Sequence, residues 1–221
     1  MSNSAENRER ILERLYNAQQ YGRDAYIPQK KVWNIKNQPK EKNIEEFKER
    51  MSAVRTEVYR TKGAEWVEQL QTIVEERGQK TLLYAPTTPT GKALKANWKK
   101  DSSCKLVEWK NSIEDFKDEL FACDGAVTGC LGGIAESAAV ILWPTEEEPR
   151  LMSIVPPLHV VVVEADKIYT SFQEAIKKLK WNKEMPTNAL LISGPSKTAD
   201  IELILQFGVH GPTDLIVYIT E

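Results

Sequence analysis

Apolar positions recur every three or four residues through the first third of the chain. Ala5, Ile11, Leu12, Leu15, Tyr16 and Ala18 make one such stripe over residues 4–20. Ser4 is placed to cap that helix and Gly22 to stop it. Residues 23–40 mix charges with Pro28 and Pro39 and read as a linker. Asn43 stands where a second helix needs a cap, and Ile44, Phe47, Met51, Val54 and Val58 share one of its faces. Ala64, Val67, Leu70 and Val74 repeat the spacing over 64–76, and Gly78 ends it. Residues 1–79 are therefore predicted to be a helical N-terminal extension.

Beyond residue 80 the pattern changes. Short apolar runs alternate with helical stretches. Strands are predicted over 81–85, 105–109, 158–165, 189–193 and 214–220, and helices over 93–98, 112–120, 171–180 and 198–207. Ser171 with Glu174 three residues on forms a capping box. The segments 124–129 and 134–143 are β-like, separated by glycines, and read as a hairpin inserted in the sheet. Strands alternating with helices predict an α/β domain over 80–221 with parallel strands. The run 159–163 is apolar at every position but His159, as in a central strand covered on both faces.

Composition narrows the function classes. Lys and Arg number 30 and Asp and Glu 32, a net charge of -2, which disfavours nucleic acid as a partner. No apolar stretch approaches the roughly 20 residues of a membrane span. The polar N-terminus lacks a secretory pattern, so the cytoplasm is the expected compartment. The three cysteines, Cys104, Cys123 and Cys130, form no C-x-x-C pair. With only two histidines beside them, no metal site is expected on this chain.

Four segments are candidates for chemistry. In 189–210 an apolar strand is followed by Ser193, Gly194, Pro195, Ser196, Lys197 and Thr198, then by a predicted helix carrying Asp200. Such a loop offers backbone N–H groups to an anion at a helix N-terminus, or is simply a tight turn with a cap. His210, between Val209 and Gly211, sits in a loop as a candidate acid or base, or as part of a helix-ending turn at Gly208. Glu136 lies in a β-like run after three glycines. It is either a buried carboxylate able to act as base or nucleophile, or an edge position in water. Arg150 is a candidate anion contact and His159 opens the central strand. The Glu146–Glu148 run reads as a solvated loop, and the six tryptophans read as packing residues.

The segments SGPSKTADIE (193–202), GVHGP (208–212), TGC with IAES (within 128–137) and RLMSIVPPLHVVVVE (150–164) together resemble the lactate utilization protein C family, small single-domain members of the LUD group. The resemblance implies a Rossmann-like sheet of the NagB/RpiA/CoA-transferase-like type. It implies action with two iron–sulfur lactate utilization proteins in oxidising L-lactate to pyruvate, with the clusters on those partners and no cofactor on this chain. On that reading Glu136 and His210 are the catalytic candidates. Ser193, Gly194, Ser196, Lys197, Thr198, Asp200, Gly211, Arg150 and His159 would contact a small carboxylate or a phosphorylated ligand. The family's turn after the glutamate contains Thr and Gly, whereas Ser137 and Ala138 stand here, and alanine does not freely replace a glycine at positive φ. Two alternatives stay open. One is a stand-alone CoA-transferase-like or sugar-phosphate enzyme using Glu136. The other is a non-catalytic module docking a partner through residues 1–79.

Overall fold

The computed structural model describes residues 4–22, 37–110, 113–181, 183, 187–199, 205–208 and 210–221. The chain forms two compact units, Met1–Asn34 and Ile35–Glu221. The first contains α1 (Ser4–Gly22), on which Ile11, Leu15 and Tyr16 are exposed.

The second unit opens with α2 (Lys40–Ala53), β1 (Glu57–Thr61) and α3 (Glu65–Glu76). There follow β2 (Thr81–Tyr84), α4 (Pro89–Asn97), β3 (Lys105–Glu108), α5 (Ile113–Ala122) and β4 (Gly125–Thr128). Next come β5 (Gly132–Ile134), β6 (Ala139–Leu142), β7 (Leu158–Glu164), β8 (Ile168–Tyr169) and α6 (Phe172–Lys178). The chain closes with β9 (Leu190–Ile192), β10 (Lys197–Ala199), β11 (Leu205–Phe207) and β12 (Asp214–Thr220).

Six strands form one parallel sheet in the order β1-β12-β7-β4-β2-β3. A parallel sheet needs cover on both faces, and the side chains of β7 alternate accordingly. Leu158 and Val160 meet Trp66, Val67, Leu70 and Val74 of α3 and Leu94 of α4. Val161 and Val163 meet Ile44, Phe47 and Met51 of α2. On that second face α5 brings Phe116 and Leu120 against Leu83 and Ala126. A four-stranded sheet, β8-β5-β6-β9, flanks this core, and Ala175 of α6 and Trp181 just beyond its end pack against it. Ser171 caps α6 as expected, accepting the Glu174 N–H at 3.2 Å, while Glu174 accepts the Thr170 N–H at 2.8 Å.

Several sequence expectations are corrected. Residues 40–79 are not part of a helical extension: β1 is the sheet's edge strand, and the chain divides near residue 35. The second helix stops at Ala53, where Arg55 takes a left-handed φ of 68°, so Val58 belongs to a strand. That helix starts at Lys40, and Asn43 is buried inside it with its side-chain amide donating to the Ile168 carbonyl at 3.3 Å. The segment 124–143 is not one inserted hairpin: β4 joins the parallel sheet, whereas β5 and β6 pair in the flanking one. No helix begins at Thr198, because β10 and β11 pair as an antiparallel hairpin, and Asp200 lies outside the described residues.

Candidate functional site

The connections around β2 and β4 create the site. After β2 the chain leaves through α4 on the α3 face, and after β4 it leaves toward β5 and the flanking sheet on the other face. Neighbouring strands that send their chains to opposite faces leave a crevice beyond their carboxyl ends, the usual ligand position in such sheets. A cavity of about 410 Å³ occupies that place here. The volume lies in the range of small-molecule sites. The residue after β2 that opens it is Thr88, which caps α4 by accepting the Gly91 N–H at 3.1 Å. Pro89 follows at the first helical position, where its missing N–H costs nothing. Gly91 is packed so tightly that a Cβ there would lie 1.8 Å from the Ala85 carbonyl oxygen. This contact seats the helix start against the end of β2.

Across the crevice the chain leaves β4 through Gly129 and Cys130. A Cβ on Gly129 would lie 3.1 Å from Thr90 Oγ1 and 3.7 Å from Glu148 Oε2, so glycine keeps these two groups at the cavity floor. The Gly129 N–H donates to Glu148 Oε1 at 3.0 Å. Glu148 is held from behind as well: its N–H donates to Thr145 Oγ1 at 3.1 Å, and the Thr145 N–H donates to its carbonyl at 3.2 Å. Trp109 pins the same loop by donating its indole N–H to the Glu146 carbonyl at 3.1 Å. Trp66, Trp143, Ala93, Leu131 and Val162 supply apolar walls. Lys167 faces the cavity paired with Glu164 at 2.7 Å.

Burial sets the protonation states. It pushes the Glu148 carboxyl above the usual carboxylate range, against the opposing pull of the Gly129 N–H. It pushes the Cys130 thiol up to about 12, and the sulfur bonds the Val162 carbonyl at 3.4 Å, so this cysteine is a poor nucleophile at neutral pH. The crevice thus offers hydroxyl and N–H donors, a paired charge, and one carboxyl suited to holding a proton.

The residues singled out in the sequence fall elsewhere. Glu136 is exposed in the turn between β5 and β6, its carbonyl accepting from Arg50, so it is not a buried base. In that turn Ala138 carries a φ of 46°, the strained conformation its replacement of glycine implies. His159 is fully buried inside the sheet, its Nε2 2.9 Å from Thr128 Oγ1, which makes it a core residue and not a ligand contact. Arg150 is exposed in a turn outside the crevice lining.

Ser196 and Gly211 do come together. The Ser196 N–H donates to the Pro212 carbonyl at 2.9 Å, and the Gly208 N–H donates to the Ser196 carbonyl at 3.1 Å, an arrangement that replaces the helix-ending turn expected at Gly208. Exposed Ser193, Gly194, exposed Lys197 and exposed His210 belong to the same group of loops, and Thr198 pairs with Gln206 through its backbone. Pro212 precedes β12, so this cluster stands at the amino end of the parallel strands. The crevice is at the carboxyl end, about 20 Å away along a seven-residue strand.

Thr90 and Glu148 were missed. The helix-start signature Thr88-Pro89 directly after a strand carried a signal for the first. Glu148, one of three consecutive glutamates, carried none, because only tertiary contact with Gly129 distinguishes it from its neighbours. Trp66 and Trp143, read as packing residues, also line the cavity.

The LUD domain family model matches residues 44–220, most of the chain. The chain belongs to the LUD domain family. The match covers α2 to β12, the same elements that build the crevice. An uncharacterized protein of Neisseria meningitidis serogroup B is 37% identical to this LUD chain over 169 residues, 76% of the chain and 72% of the relative. Lactate utilization protein C 1 of Bacillus mycoides is 27% identical over 188 residues, 81% of the chain and 80% of the relative. The crystal structure of a DUF162 family protein from Deinococcus radiodurans superposes with a TM-score of 0.61 at 16% identity, over 83% of this chain and 99% of that one. That likeness supports the Rossmann-like α/β fold of the LUD domain. Among the described residues, no helix is long and apolar enough to cross a membrane.

Proposed function

We propose that this LUD chain serves lactate utilization by binding the small carboxylic acid, while two iron–sulfur proteins carry the redox chemistry. The reading rests first on the family and on the name of the Bacillus mycoides relative. The observation that carries it in this molecule is the crevice at the carboxyl ends of β2 and β4, which presents Thr90 and Glu148 at its floor. Oxidation of L-lactate to pyruvate releases two electrons and two protons. In this reading the partners accept the electrons and this chain holds the acid, in the cytoplasm. The CoA-transferase-like alternative depended on Glu136, which is exposed and does not line the crevice.

Deletion of the gene in its host tests the proposal. Growth on L-lactate as sole carbon source is expected to fail while growth on pyruvate continues, and the wild-type gene is expected to restore it. Two iron–sulfur proteins are expected to copurify with the tagged full chain. Normal growth of the deletion strain on L-lactate would overturn the reading.

A further inference from the structure

We infer that the crevice recognises a small monocarboxylate through Glu148 and Thr90, and that Glu148 takes up one proton as the ligand enters. The inference rests on the proposed function and names the group that reads the acid.

Glu148 has one oxygen committed and one left over. Oε1 accepts the Gly129 N–H, whereas Oε2 has no hydrogen-bond partner among the described residues. Facing it, Thr90 is at the second helical position of α4. Pro89 has no N–H and the Gly91 N–H is taken by Thr88, so the Thr90 N–H and hydroxyl are the donors left at this helix end. Thr90 Oγ1 and Glu148 Oε2 therefore converge over Gly129.

The charges around Glu148 make proton uptake the consequence. Cys130 after β4 is a protonated thiol. Glu164 at the end of β7 and Lys167 just beyond it neutralise each other. Arg150 is exposed on the following turn, and Glu146 and Glu147 are exposed on the same loop. Among the described residues the crevice thus presents no unpaired cation, and a bound carboxylate would face an ionised Glu148 as a like charge. A proton shared between the two carboxyls turns that repulsion into a short, charge-assisted O–H···O⁻ bond. Burial has already moved Glu148 in that direction.

Isothermal titration of the full chain with L-lactate, and separately with pyruvate, from pH 5 to pH 8 tests the inference. Wild type is expected to lose affinity by up to about tenfold per pH unit above the Glu148 pKa, and to take up as much as one proton per ligand across buffers of different ionisation enthalpy. Glu148→Gln presents an amide donor at every pH. It is expected to bind both acids with a nearly pH-independent Kd and without proton uptake, and a thermal melt checks its fold. If Glu148→Gln keeps the wild-type pH slope and proton uptake, the inference falls and the proposed ligand stands. If wild type binds neither acid at any pH, the proposed ligand itself falls and takes the inference with it.

Discussion

His159 sits on the central strand β7, opposite Ala126 of β4 and Leu215 of β12, with Nε2 on Thr128 and Nδ1 without a hydrogen-bond partner among the described residues. Burial holds its pKa down at about 3, against an ordinary 6.5. The unfolded chain therefore binds a proton below pH 6.5 that the folded chain refuses. Stability is complete above that pH and falls as the pH drops toward 3, at up to about 1.4 kcal/mol per unit. Thermal melts from pH 7 to pH 4 are expected to show this slope, and His159→Gln to flatten it. An equal slope in the variant would refute the assignment. Gly129→Ala puts a methyl group 3.1 Å from Thr90 Oγ1. Melting should change little, while L-lactate binding weakens by about tenfold, the low end for one misfitting methyl group. Unchanged affinity by titration would remove Thr90 and Glu148 from the floor of the site.

At the level of elements, side chains lock strands that backbone pairing alone leaves ragged. Asp124 Oδ2 accepts the Lys80 N–H at 2.7 Å, the Thr81 N–H at 3.0 Å and the Thr81 hydroxyl at 3.2 Å, tying the start of β2 to that of β4. Asp124→Ala strips the acceptor from all three donors and is expected to cost about 2–3 kcal/mol in urea unfolding. A loss below 1 kcal/mol would show that water replaces the carboxylate. Where strand and helix periods coincide, the sequence is ambiguous. Val54 and Val58 continue the 3–4 spacing of α2, yet the residues EVYRT pair with β12, because a β-branched and aromatic segment gains more from the sheet than from one more helical turn. Likewise Ile201, Ile204 and Leu205 recur at the helical spacing of three and four, while Leu203, Leu205 and Phe207 alternate with period two, and the hairpin pairing of β10 with β11 resolves the choice for its strands. The strands β2, β3, β7, β9 and β12 were legible because each is a short apolar run between breakers. The site was less so, because it assembles from the loops after β2 and β4 and from residue 148, which share no local pattern.

For the whole molecule, the question is where the folding unit begins. The change from helical to alternating pattern near residue 80 suggests a boundary there, but composition changes along a chain need not follow its contacts. Ile44, Phe47, Met51, Trp66, Val67, Leu70 and Val74 all lie before that boundary, and each is at most 2% exposed within the α/β unit. At about 2 kcal/mol per buried side chain they contribute about 14 kcal/mol, as much as the entire net stability of a typical domain. A chain beginning at Lys80 also lacks β1, which leaves β12 as an unpaired edge, and it lacks Gly63 and Trp66 of the crevice. It is expected to show no cooperative melt by circular dichroism and no ligand binding. A chain beginning at Ile35 keeps every element of the six-stranded sheet and its covering helices. It is expected to melt cooperatively within a few degrees of the full chain and to bind L-lactate with the same affinity. If the Lys80 chain melts cooperatively, the core contributed by α2 and α3 is dispensable and the boundary belongs at residue 80. If instead the Ile35 chain binds normally but no longer retains the iron–sulfur proteins, residues 1–34 carry the docking surface. In that case recognition of the acid and recognition of the partners reside in separate units of one chain.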